Sequence, residues 1–201
     1  MPLLDPLSSV TVALQSAKLT PSLVPPSFLP SALLSIVWPT GKEAVLGNEL
    51  TVGDTTDEPA ISFTPMVIPD SVDDASYTLA MVDPDAPSRD DPKYGQFRHW
   101  VVTGLKSPAA TSSETTHLNA LHTKPATTPY RPPGPRPGSG VHRYVFLLFQ
   151  EPTSPPFSIA ADAPEHGAAL EERRSWNALD FAEKHNMKLT AVNFFHLSSS
   201  D

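Results

Sequence analysis

Asp83-Pro84-Asp85-Ala86-Pro87-Ser88-Arg89 places two carboxylates two residues apart, braced by two prolines, where the apolar run Tyr77 to Asp83 ends. Proline fixes φ and removes a backbone donor, so both carboxylates are held at a strand edge with little freedom. In Arg98-His99-Trp100 an imidazole opens a second apolar run. In Gly138-Ser139-Gly140-Val141-His142-Arg143-Tyr144 a glycine pair leads into His, Arg and Tyr at the start of a third. If these strand ends lie together, two carboxylates, two imidazoles and a phenol share one pocket. A carboxylate that accepts from an imidazole N–H fixes its tautomer and favours imidazolium, which attracts phosphate or carboxylate. The same pair is able to do general acid or base work.

Taken singly, each piece has a plainer reading. An Asp-Pro-Asp turn ends strands, its carboxylate capping backbone N–H groups, and a strand-end histidine is often a satisfied structural group. Only the coincidence of all three argues for a site. Other chemistries lack their motifs: there is no Gly-x-Ser-x-Gly elbow, no His-Glu-x-x-His and no P-loop. No nucleotide-binding βαβ context surrounds Asp83-Pro84-Asp85, which argues against the metal-binding Asp-x-Asp of glycosyl transfer. Zinc held by His99, His142 and Asp85 is chemically conceivable but not expected, and no cofactor is implied. Without cysteine there is no disulfide, thiolate metal site or cysteine nucleophile.

The strands that must position these groups are legible. Tyr77 to Asp83, Trp100 to Gly104 and Tyr144 to Gln150 are apolar on both parities, which predicts central strands covered on both faces. Leu33 to Trp38, Glu49 to Val52 and Ala60 to Phe63 read as short strands between Gly and Pro punctuation. Lys188 to Leu197 reads as a last one. Val10 to Leu19 suits a short surface helix with Ser8 or Ser9 as N-cap. Ala168 to His185 repeats apolar positions at helix spacing, which makes Glu171-Glu172-Arg173-Arg174 a solvated helix face. The loop from Lys106 to Pro129 is rich in Ser, Thr, Ala and Pro, and Tyr130 to Gly138 reads as a stiff, shaped loop. Trp38, Trp100 and Trp176 belong to the core. His117, His122, His166, His185 and His196 share no spacing and read as surface or helix-end groups.

The 201 residues make one domain, 1–201, with 39% hydrophobic residues to build a core. Twenty-four prolines, against a usual ~5%, rule out dominance by long helices. The net charge of −8 argues against nucleic acid as a partner. No positive n-region opens the chain, so the expected location is cytoplasmic. Prolines interrupt the uncharged stretch between Lys18 and Lys42, leaving at most peripheral membrane contact.

The two long motifs, Asp83 to Arg89 with Tyr94 and His99 following, and Gly140 to Tyr144 before an apolar strand, resemble the signature regions of the phosphatidylethanolamine-binding protein family. That family includes Raf kinase inhibitor proteins, plant flowering regulators and fungal carboxypeptidase Y inhibitors. The resemblance implies a mostly β fold, a large antiparallel sheet packed on a smaller one, with peripheral N- and C-terminal helices. It implies a small-anion pocket built from Asp83, Asp85, Tyr94, His99, Gly134, Pro135, His142 and Tyr144, and a cis bond at Ala86-Pro87. Within that pocket His99 and His142 are expected as the main anion donors, with Tyr144 and a backbone N–H near Gly134 completing the shell. Binding would then strengthen as pH falls through about 6.5. Pro132-Pro133-Gly134-Pro135-Arg136-Pro137 is richer in proline than the mouth of the animal members, which predicts a rigid rim. The implied function is a monomeric, fungal-type regulator that binds phosphate, phosphoethanolamine or a carboxylate and inhibits a serine carboxypeptidase or a kinase. The alternatives are a head-group carrier, or an enzyme or accessory protein acting on an anionic carboxylate metabolite.

Overall fold

The computed structural model describes residues 6–66, 75–107 and 119–198; His117 and much of the loop after Lys106 lie outside them. The elements are α1 (Pro6–Ser16), β1 (Ala32–Val37), β2 (Asn48–Glu49), β3 (Ala60–Pro65), β4 (Ser76–Asp83), β5 (Phe97–Lys106), β6 (Leu121–His122), β7 (Val141–Gln150), α2 (Ala178–Lys184) and β8 (Lys188–Ser198). Six strands form a sheet in the order β2-β8-β7-β4-β5-β6, antiparallel except where β2 joins β8, and β1 and β3 form a second, antiparallel pair.

The unbroken apolar runs are buried on both sides, as their composition requires. Leu79, Met81, Trp100, Val102, Phe146 and Phe195 meet Ile36, Trp38, Ile61 and Phe63 beneath the small sheet. Ala80, Val82, Val101, Val145 and Leu147 on the other face are covered by Val10 and Leu14 of α1, by Leu19 to Phe28, and by Trp176 and Phe181 near α2. All three tryptophans are buried.

Most strands differ from the sequence expectation by a few residues at their ends, β6 lies inside the stretch read as a loop, and three elements depart further. Helix α1 starts at Pro6 rather than Val10, since proline suits a first turn. Only Asn48 and Glu49 of the third predicted strand pair. The helix expected over Ala168 to His185 is broken: a 3-10 turn covers Glu171–Arg173, and α2 begins only at Ala178. Ser175 takes φ 52°, a left-handed conformation that stops a helix. The Ser175 and Trp176 amides then bond to the Tyr94 and Gln96 carbonyls. Asn177 restarts the helix, its side chain accepting from the Leu179 and Asp180 amides. The predicted solvated face is therefore wrong at Arg173, which is buried and donates to the carbonyls of Ala168, Arg98, His99 and Pro129.

Candidate functional site

Asp83 closes β4 with both oxygens engaged. Its Oδ1 accepts the Asp85 amide at 2.8 Å, an Asx turn, and its Oδ2 meets His142 Nδ1 at 2.7 Å. The plainer capping role and the imidazole partnership thus coexist on one carboxylate. His142 and Tyr144, two apart on β7, share a sheet face. Their rings stack at 6.2 Å, and Tyr144 stacks in turn on Phe195 at 5.2 Å. Burial, and after it the Asp83 carboxylate, raise the Tyr144 phenol far above its ordinary value, so it stays protonated as a donor.

His99 reaches the same face by a β-bulge. Met81 pairs with Trp100 but Val82 pairs with Arg98, so His99 is the extra residue on β5. Strict alternation from Trp100 would send His99 to the opposite face; the bulge sets it edge-on to Tyr144 at 5.2 Å and beside Phe97 at 4.9 Å. Its Nδ1–H donates to the Arg131 carbonyl at 2.8 Å, and the Arg131 amide bonds back to the His99 carbonyl at 3.0 Å. This anchors the proline-rich loop to the strand.

These groups floor a cavity of about 220 Å³. Of the expected residues, Asp83, Tyr94, His99, Gly134, Pro135, His142 and Tyr144 line it. Asp85 does not. Its oxygens are held by Arg143, whose Nε and Nη2 donate at 2.8 and 2.6 Å, and by the Arg143 amide at 2.9 Å. The Arg143 Nη1 also donates to the carbonyls of Ala17 and Lys18, bolting the end of α1 to the signature turn.

His99 is not the cationic donor the residue types suggested. Burial pushes it down to about 4, outweighing the nearby Asp83, so at neutral pH it is uncharged. With Nδ1–H given to Arg131, its Nε2 carries a lone pair and accepts rather than donates. The strengthening expected as pH falls through about 6.5 therefore loses its His99 part. Fixed positive charge comes instead from Arg131, Arg136 and Arg174, which line the cavity. Arg174 lies over the Tyr94 ring at 4.3 Å and 3.6 Å from Glu171. These three residues were not singled out as site residues because they come from separate loop positions with no motif spacing. The Arg–Pro composition of Tyr130 to Gly138 is the one sequence signal that points to two of them. Ala86-Pro87 is cis, as the resemblance implies. Among the described residues, no group of three or more His, Asp or Glu is placed to hold a metal ion.

This small, half-open cavity lies at the ends of the central strands of a two-sheet β fold. Residues 40–195 match the family model described as phosphatidylethanolamine-binding protein, and the chain belongs to that family. The chain is similar to the carboxypeptidase Y inhibitor of Saccharomyces cerevisiae, 33% identical over 190 residues and 85% of each chain. Its fold superposes on the crystal structure of carboxypeptidase Y inhibitor complexed with the cognate proteinase at a TM-score of 0.79, 28% identity and 98% coverage of both chains. A phosphatidylethanolamine-binding protein from Plasmodium vivax shares the fold, with a TM-score of 0.71 at 24% identity over 94% of this chain and 97% of that one.

Proposed function

We propose that this chain is an inhibitor of a serine carboxypeptidase that also holds a small anion in the cavity floored by Asp83, His99, His142 and Tyr144. The observation that carries the inhibitor reading is the likeness over nearly the whole chain to a carboxypeptidase Y inhibitor captured on its proteinase. It favours a carboxypeptidase over a kinase as partner.

The anion reading rests on charge and size. Asp83 is the one acidic residue lining the cavity, against three arginines, Arg131, Arg136 and Arg174. A volume of about 220 Å³ lies below the ~300 to 1,000 Å³ of drug-sized sites, which suits phosphate, phosphoethanolamine or a small carboxylate and excludes acyl chains. Neutral His99 offers an acceptor to a ligand ammonium or a protonated phosphate oxygen. Calorimetric titration of phosphate, phosphoethanolamine and a small dicarboxylate tests this. Saturable binding weakened in Arg136→Ala and lost in His142→Ala is expected, and heats unchanged by either substitution would remove the cavity from the account.

A further inference from the structure

The cluster Gly138-Ser139-Gly140 is not used by the reading above, yet it ends beside the buried imidazole. Arg136-Pro137-Gly138-Ser139 is a tight turn, closed by the Ser139 amide on the Arg136 carbonyl at 3.0 Å, with Pro137 leading and Gly138 at φ 74°. Gly140, at φ 79°, then turns the chain into β7. The turn sets Ser139 Oγ 3.0 Å from His142 Nε2. On the far side of the same ring, Nδ1 lies 2.7 Å from Asp83 Oδ2, with the His142 and Asp83 side chains 3% and 5% exposed.

We propose that Ser139, His142 and Asp83 form a nucleophile, base and orienter, and that Ser139 takes an acyl group from small esters carrying an anionic substituent. The choice of an anionic acyl donor rests on the proposed role of the guanidinium rim; the relay itself does not. Constellations of this kind are recognised by geometry and roles rather than by sequence order or fold. The missing strand-to-helix elbow is replaced by a glycine-flanked turn.

The tautomer is the one the chemistry requires. Ionised Asp83 only accepts, so in the neutral imidazole the proton sits on Nδ1 and Nε2 is left to accept from Ser139. The Ser139 hydroxyl has two acceptors within reach, Nε2 and the Arg136 carbonyl at 2.7 Å. Rotation about the Cβ–Oγ bond alone carries its proton from one to the other. Beyond Cβ positions at Gly138 and Gly140 there is open space, so the turn can adjust to a substrate.

In the first step Ser139 Oγ bonds to the ester carbonyl carbon while His142 Nε2 takes the hydroxyl proton, the imidazolium being stabilised by Asp83. The bond from the carbonyl carbon to the alkoxy oxygen then breaks, and the His142 proton leaves with that oxygen as alcohol. Water, deprotonated by His142, attacks the acyl-serine; the acid departs and the proton returns to Ser139. Arg131 and Arg136, lining the adjoining cavity, provide positive field for the oxyanion and for the anionic substituent.

The test uses a fluorophosphonate serine probe, read by intact mass and peptide mapping, on the full chain and on Ser139→Ala and His142→Gln. One adduct on Ser139 is expected, absent in Ser139→Ala and formed about 100-fold or more slowly in His142→Gln. Ser139 lies on an exposed turn, so Ser139→Ala is expected to keep the fold, read by an unchanged Tm. An unlabelled wild-type chain, or labelling that persists in Ser139→Ala, overturns the proposal. Absent phosphate binding beside a Ser139 adduct overturns the anion reading and leaves the relay standing.

Discussion

Asp83 divides its two oxygens between a backbone amide and an imidazole, and that division orders the floor of the cavity. Among the described residues, burial lowers the proton affinity of three histidines, His99, His185 and His196, and His99 is the one held lowest. Burial holds it down at about 4, whereas an unfolded histidine titrates near 6.5. Between about pH 6.5 and 4 the His99 site therefore holds a proton in the unfolded chain that it lacks in the folded chain. The contribution of neutral His99 is fully present above about 6.5 and is lost as pH falls through that window, on the order of 3 kcal/mol in all. Thermal melts from pH 7 to 4 read this directly. His99→Gln, whose amide can still donate to the Arg131 carbonyl, should show a shallower fall in Tm than the parent; parallel curves would mean that folding leaves the proton affinity of His99 unchanged. Both histidines were legible as strand-end groups. Their different fates were not, because the β5 bulge and the Arg131 carbonyl that fix His99 are set by tertiary packing.

Between elements, Arg143 is the joint on which α1, the turn after β4 and the start of β7 meet. It neutralises buried Asp85 and satisfies two carbonyls just past α1. Arg143→Met leaves a carboxylate without its cation and should cost about 3 to 5 kcal/mol. Denaturant unfolding measures this, and a loss under about 1 kcal/mol would show that Asp85 finds water in place of the guanidinium. The three central strands were legible because a strand buried on both faces needs an unbroken apolar run, and Tyr77 to Asp83 and Tyr144 to Gln150 are such runs. The segment from Ala168 to His185 misled because Leu170, Arg174, Ala178 and Phe181 keep helix spacing. The left-handed Ser175 and the pairing of Ser175 and Trp176 with Tyr94 and Gln96 leave no trace in that periodicity. Arg131, Arg136 and Arg174 were missed as site residues for a related reason: loops converge without a repeat to announce it.

For the molecule as a whole, membership of the phosphatidylethanolamine-binding protein family was carried by two motifs that became one cavity wall, Asp83 from the first with Tyr94 and His99, and His142 and Tyr144 from the second. What the motifs left open was the partner. Under the proposed inhibitor role, drawn from the likeness to a carboxypeptidase Y inhibitor, the outer surface would matter as much as the cavity. An anion site and an inhibitory surface are separable: phosphate titration reads the first and proteinase activity the second. The most direct measurement is therefore a titration of carboxypeptidase Y activity with the purified chain at micromolar concentration. The account predicts a progressive, saturable loss of peptidase activity that ends at one chain per proteinase. Undiminished activity throughout the titration would contradict it.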